Sequence, residues 1–291
     1  MAGGPTQAEY WNGPVGARWA SNQPILDAVF APLTEALFAR ADLAPGARVL
    51  DIGCGAGATT LEAAARVGAG GAVTGADISA PLLAAARARA AADLGHAGRE
   101  GAAIRWIEAD VETADLGAGA FTAAISRFGA MFFADSTRAF ANVRRMLGPG
   151  GRLTLLCWRA MADNAWVRVP REAVLPLLPE APPPPPPDAP GPFRFAEVDG
   201  LKAALRAAGF AAITCEPVDR AVILGGGADD AAAALAAARV AVGLGPASHL
   251  LREAEPALAE RALAAVADAL RPHAAAGAVR LGAACWLVQA A

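Results

Sequence analysis

From about residue 48 onward, short apolar runs alternate with Ala/Leu-rich stretches of helical spacing. Val49-Leu50-Asp51-Ile52 is an apolar run interrupted by one acid, and Gly53-Cys54-Gly55-Ala56-Gly57 follows it. Thr59 and Thr60 then open a helical stretch to about Val67, stopped by Gly68. That pattern reads as strand, tight turn, helix. A second strand is predicted over 72–76, ending at Asp77, with Ser79 as a helix cap and Pro81 in the first turn. The helix that follows covers 80–94 and stops at Gly95. Strands at 103–107 and 121–125 come next, then a helix capped by Asp135 or Ser136 and running through Leu147. The turn Gly148-Pro149-Gly150-Gly151 leads into a strand over 152–158. Strands alternating with helices in this way predict an α/β fold with a doubly wound, mainly parallel sheet.

The flanks differ from this core. Upstream, Ile25, Leu26, Val29, Phe30, Leu33, Leu37 and Phe38 recur three and four apart, which predicts an N-terminal helical cap. Tyr10, Trp11 and Trp19 precede it and either wall a ligand or pin the cap to the core. Downstream, Pro170, Pro176 and Pro179 lead to six consecutive prolines, Pro182 to Pro187. Proline runs are stiff and do not pack as helices, so 161–197 is expected to be an exposed loop, either shaping the rim of a site or serving a proline-recognition domain. A helix is predicted at 198–208 and strands at 211–224 and 279–289, with an Ala-rich helical insertion, a lid, at 228–276. The expected organisation is one domain over 1–291: cap 1–45, core 46–160, proline-rich loop 161–197 and the second half of the sheet at 198–291.

With 291 residues and 55% hydrophobic content, core size is not limiting. Net charge is −3, without a Lys/Arg-rich run, so nucleic acid is not an expected partner. Cys54, Cys157, Cys215 and Cys285 form no CxxC pair and lie in or beside apolar runs, as buried reduced thiols do. Residues 1–7 lack the basic and apolar regions of a signal peptide and no apolar run is long enough to span a membrane, which predicts a cytoplasmic protein without membrane contact. Lys202 is the only lysine, the three histidines show no metal-ligand spacing, and no serine lies in a GxSxG elbow. No metal is expected.

Chemistry therefore points to the glycine turn. Glycines let a ligand lie against the backbone where the amides of a helix N-terminus point outward. Gly53-x-Gly55-x-x-Ala58 also satisfies a dinucleotide fingerprint. Asp51 separates the two ligands, because a fixed carboxylate repels a pyrophosphate but attracts an amino group. The run acid-x-Gly-x-Gly-x-Gly from Asp51 to Gly57 resembles the first motif of the class I S-adenosylmethionine-dependent methyltransferases, with features closest to the small-molecule ubiquinone/menaquinone-methyltransferase-like group. Asp77 follows the glycine loop by about twenty residues, the spacing of an acid that accepts two ribose hydroxyls. Its alternative task is capping the next helix.

The resemblance implies a Rossmann-like seven-stranded sheet with an antiparallel last strand. It also implies that Gly53, Cys54, Gly55, Gly57, Thr60 and Ile78 border the cofactor, with Asp110 receiving the adenine amino group and the Val111 N–H a ring nitrogen. Ser126 and Arg127 stand at the carboxyl end of the fourth strand and should face the methyl donor or acceptor, Arg127 holding a carboxylate through its fork or bridging a nearby acid. Trp19 is placed on the cofactor side. Tyr10, Trp11, Phe128 and Met131 are candidates for the acceptor wall, with Met131 read first as a core residue. The implied reaction is transfer of a methyl group from S-adenosylmethionine to an O, N, C or S of a small-molecule acceptor by in-line displacement, leaving S-adenosylhomocysteine. No catalytic residue is assigned. An NAD(P)-dependent oxidoreductase and a non-catalytic S-adenosylmethionine-binding protein are the competing readings.

Overall fold

Burial of the first strand on both of its faces sets the layers. In the computed structural model, which describes residues 6–97, 101–183, 186, 188–245, 247–252 and 254–291, strand β1 covers Arg48–Ile52. Val49 packs on one face with Val67 and Phe38, and Leu50 and Ile52 pack on the other with Met131, Phe140 and Leu155. A strand buried on both faces reads as a continuous apolar run, which is why Asp51 is conspicuous within it.

Helices α1 (Gln7–Asn12), α2 (Pro14–Ser21) and α3 (Gln23–Ala41) precede β1. The core then runs α4 (Ala58–Val67), β2 (Ala72–Asp77), α5 (Ala80–Ala97), β3 (Ala103–Glu108), β4 (Phe121–Arg127), α6 (Ser136–Met146) and β5 (Leu147–Trp158). After it come α7 (Ala165–Val174), α8 (Val198–Ala207), β6 (Ile213–Gly226), α9 (Asp230–Gly243), α10 (Ala247–Leu250), α11 (Pro256–Leu270), β7 (Ala274–Ala275) and β8 (Ala278–Ala290). Seven strands are ordered β3-β2-β1-β4-β5-β8-β6, and the two-residue β7 pairs with β8 beside this path. β1 to β5 are mutually parallel, and β8 runs antiparallel to both β5 and β6. This is the doubly wound sheet with an antiparallel last strand. Strand order reverses between β1 and β4, so a crevice opens at their carboxyl ends.

Three expectations change. The segment 161–197 is not a loop throughout. Met161–Asp163 forms a 3-10 turn, and α7 buries Trp166, Val167, Pro170 and Val174 against the C-terminal helices and β8. Pro170 costs α7 one backbone bond, and burial of the same ring offsets it. The proline run falls partly outside the described residues, at Pro184, Pro185 and Pro187. Gly95 does not end α5, which continues to Ala97. β7 was not foreseen; Ala276 and Gly277, both at positive φ, close it onto β8 as a tight hairpin.

Phe140 is fully buried where α6 meets Phe133 and Phe195. Phe140→Ala should lower stability by about 3 to 5 kcal/mol in a denaturant titration without changing the far-UV spectrum.

Candidate functional site

Two glycine backbones meet at the crevice. Gly53 ends β1 at φ 65°, and a Cβ there would stand 2.7 Å from the Cα of Gly129, in the loop after β4. A Cβ on Gly129 would reach the Ile52 carbonyl oxygen at 2.6 Å. Only glycine at both positions lets the two halves of the sheet approach this closely. The Ser126 hydroxyl braces the same junction, donating to the Ile52 carbonyl at 2.8 Å and accepting from the Ala130 N–H at 3.1 Å. Ser126 thus positions the crevice, and both capacities of its hydroxyl are engaged by backbone.

Asp51 is fully buried. Its Oδ2 accepts from the hydroxyls of Thr59 and Thr60, at 2.6 Å each. Oδ1 is buried without a partner. Burial pushes the carboxyl up to about 6, against the pull of the two hydroxyls and of Arg127. Thr60 therefore orients Asp51, and Thr59, which sequence reasoning missed, shares the task. Arg127 donates to the Thr34 hydroxyl, with Phe30 beneath its guanidinium. Burial lowers its pKa, while Asp27 and Asp51 raise it. No carboxylate stands within ion-pair distance of Arg127 among the described residues. Among the described residues, therefore, one buried acid oxygen has no partner and the arginine near it donates to a hydroxyl rather than to an acid.

The turn itself is tied to β2. The N–H groups of Gly53 and Cys54 both donate to the Ala76 carbonyl, and the Gly55 N–H donates to Asp77 Oδ2 at 2.8 Å. Asp77 Oδ1 accepts from the Ser79 N–H at 2.8 Å. Both carboxylate oxygens thus hold backbone while the side chain keeps 9% exposure, and burial raises its pKa. Each oxygen retains a further lone pair. Gly55 and Gly57 stand at positive φ; a Cβ on Gly55 would meet nothing within 4 Å, whereas one on Gly57 would meet the Trp106 ring at 2.7 Å. Open space lies over Gly55, and Trp106 is the floor under the loop. Cys54 is buried with its thiol pushed well above the usual range, so it contributes shape and no nucleophile.

Asp110 is exposed and accepts from the Glu112 N–H at 2.9 Å, and Val111 is buried beside it. The buried Glu112, also missed in the sequence, accepts from the Ala134 and Asp135 N–H groups and fixes the start of α6. Phe128 holds φ at 68°, an uncommon conformation for a bulky residue, and stacks on Trp158 at 4.0 Å between centroids. Met131 is fully buried, its sulfur accepting the Trp158 N–H, and belongs to the core rather than to a ligand wall.

The cap lies against the loop after β2 and against Phe132. Trp11 meets Tyr10, Trp19 and Phe132 edge to face at 5.3 to 5.6 Å. Tyr10 lies under the guanidinium of Arg252, and Arg18 donates to the Gly243 carbonyl, so the cap touches the C-terminal insertion. Ile78 is partly buried and gives its carbonyl to Asn12 of the cap. No described helix is long and apolar enough to cross a membrane.

A glycine turn at a doubly wound switch point, with Asp51 in the first strand, Asp77 at the end of the second and Asp110 after the third, marks the crevice where open α/β sheets bind ligands. Residues 49–151 match a family model described as a methyltransferase domain. Over 134 residues the chain is 37% identical to the demethylmenaquinone methyltransferase of Thermus thermophilus, covering 45% of this chain and 57% of that protein. It is 36% identical over 134 residues to an uncharacterized protein of Mycobacterium tuberculosis, covering 46% of this chain and 45% of the relative. The chain spans about half the length of the curated relatives it matches. The YcgJ protein of Bacillus subtilis shares the fold, with a TM-score of 0.55 at 18% identity over 89% of this chain and 97% of that one. Residues 49–151 are thus similar to a methyltransferase domain, and the fold is shared with the solved structure.

Ser126→Ala removes one donor and one acceptor from the buried β1–β4 junction. It should cost about 1 to 3 kcal/mol in chemical denaturation.

Proposed function

We propose that this chain transfers a methyl group from S-adenosylmethionine to an oxygen, nitrogen, carbon or sulfur of a small molecule. The observation that carries the reading is the pairing of unmet groups in one crevice, the buried Asp51 Oδ1 and the Arg127 guanidinium without a carboxylate partner. An α-amino acid carries the complementary ammonium and carboxylate. In this reading Asp51 accepts from the ammonium and Arg127 donates to the carboxylate. The free lone pairs of Asp77 accept ribose hydroxyls, Asp110 and the Val111 N–H meet adenine, and the space over Gly55 admits the chain between them. A dinucleotide would instead bring a pyrophosphate toward Asp51, which repels it.

The cofactor, when bound, supplies an electrophilic methyl group on a positively charged sulfur. The protein's part is then positioning and exclusion of water. Thr59 and Thr60 orient Asp51, Thr34 orients Arg127, and Trp11, Trp19 and Phe132 close the crevice from the cap side. Phe128 is the acceptor-facing candidate: it is partly exposed, its backbone is strained, and its ring is fixed by Trp158. Tyr10 and Trp11 extend that wall from the cap. The work of the site requires no metal in this reading, and no side chain is assigned as a general base.

Calorimetry should show S-adenosylhomocysteine binding and NADH not binding; the reverse result refutes the reading. Incubation with labelled methyl donor and a metabolite extract should yield a labelled small product, and its absence points to a binding protein without turnover. Asp77→Ala should weaken S-adenosylhomocysteine binding by about 2 to 3 kcal/mol, roughly 30- to 150-fold. Because Asp77 also holds Gly55 and Ser79, the same change should lower stability by about 1 to 3 kcal/mol. Affinity should also depend on pH through Asp51. Its folded-state pKa is raised to about 6, so the ammonium-binding anion is present above that pH and is lost as pH falls through it. Affinity for S-adenosylhomocysteine should fall about tenfold per unit below pH 6 and level off above it, and Asp51→Asn should flatten the profile.

A further inference from the structure

The first two helices of the N-terminal cap have no fully buried side chain. α1 buries no residue and α2 buries only Gly16, whereas α3 buries seven. Beside the ring contacts of Trp11 with Trp19 and Phe132, a compact set of polar bonds joins residues 11–12 to residues 78–80, the loop directly after Asp77. Asn12 Nδ2 donates to the Ile78 carbonyl at 2.8 Å and to the Ala8 carbonyl at 2.9 Å. Asn12 Oδ1 accepts from the Ala80 N–H at 2.9 Å. The Ser79 hydroxyl donates to the Trp11 carbonyl at 2.7 Å. Gly16 makes room for the arrangement, since a Cβ there would fall 1.8 Å from the Trp11 carbonyl oxygen and 3.0 Å from the Ser79 hydroxyl.

We propose that Asn12 is a latch: a positioning residue that fastens the α1–α2 cap over the loop following Asp77 and is released when a ligand enters or leaves the crevice. Three features support it. The Asn12 side chain spans both polar groups of that loop, a carbonyl and a helix-opening amide, so one residue carries both ends of the joint. These bonds lie at an exposed edge, where water can replace them at small cost. The cap pivots on anchored ground, because α3, packed into the core, begins one residue after Asn22 closes α2. A segment with few buried apolar contacts, held by exposed hydrogen bonds, is the part of a fold that opens first. The cap also bears Trp11 and Tyr10, so release opens the cofactor side and moves the proposed acceptor wall in one motion.

The inference rests on the cofactor reading for what the cap covers, but not for the joint itself, and the test separates the two. Amide hydrogen exchange of the unliganded full chain is measured for wild type, Asn12→Ala and Asn12→Asp. Exchange over 6–21 should rise about tenfold in Asn12→Ala, with α3 amides unchanged, and by an intermediate factor in Asn12→Asp, which keeps the acceptor for Ala80 but loses the donor to Ile78. Stopped-flow binding of S-adenosylhomocysteine should then show association and dissociation both accelerating in Asn12→Ala, so that affinity changes less than either rate. Unchanged exchange over 6–21 overturns the latch. Faster exchange with unchanged ligand rates overturns its role as a gate. Wild-type protein that fails to bind S-adenosylhomocysteine sinks the cofactor reading, while the exchange series still decides whether Asn12 fastens the cap.

Discussion

A carboxylate shut away from water at the end of the first strand is the constraint around which the fold is arranged. Burying Asp51 is unfavourable unless its oxygens are met. The first turn of α4 meets one of them with two hydroxyls. That fixes where α4 must begin relative to β1, and so requires a turn of five residues tight enough to need glycine at 53, 55 and 57. The second oxygen has no partner among the described residues. The same charge explains why its surroundings are built from hydroxyls and an arginine rather than from a second acid in contact.

Around this point the molecule is joined by few, specific contacts. Gly53 against Gly129 brings the two halves of the sheet together, and Ser126 braces the junction from behind. Asp77 ties the glycine turn to the start of α5, so the loops after β1 and β2 move as one piece. The cap adds a third element through residues 11–12. Crevice and cap are therefore connected both through the hydrogen bonds of residues 11–12 with residues 78–80 and through the ring contacts of Trp11.

Most of the core was legible because its elements obey local rules. β1 and α4 lie where the apolar run, the glycines and Gly68 place them, and β2 and β8 differ from expectation by a residue or so at their ends. Burial on both faces gives β strands a signal that survives without knowledge of partners. What was not legible depended on distance in sequence. Trp106 as a floor under Gly57, Thr34 as partner of Arg127 and Asn12 as partner of residues 78–80 are pairings across tens of residues, with no local spacing to reveal them. α7 was hidden by prolines; Pro170 breaks the helical pattern by composition and yet is buried within a ten-residue helix. Asp77 was read as a ribose acceptor or a helix cap; its bond to the Ser79 N–H fits the second task, and its bond to Gly55, twenty-two residues away in sequence, had no local signal.

The placement of β8 carries a consequence for how the chain is made. Residues 278–290 fill the slot between β5 and β6, strands completed about 120 and 50 residues earlier in synthesis. Until β8 emerges from the ribosome, the facing edges of β5 and β6 have no hydrogen-bonding neighbour, and the half-sheet beyond β5 cannot close. The glycine-turn half, β1 to β4, needs nothing that late. A nascent chain therefore acquires its glycine-turn crevice first and waits for its final hairpin with two sticky edges exposed, the interval in which chaperone capture matters most.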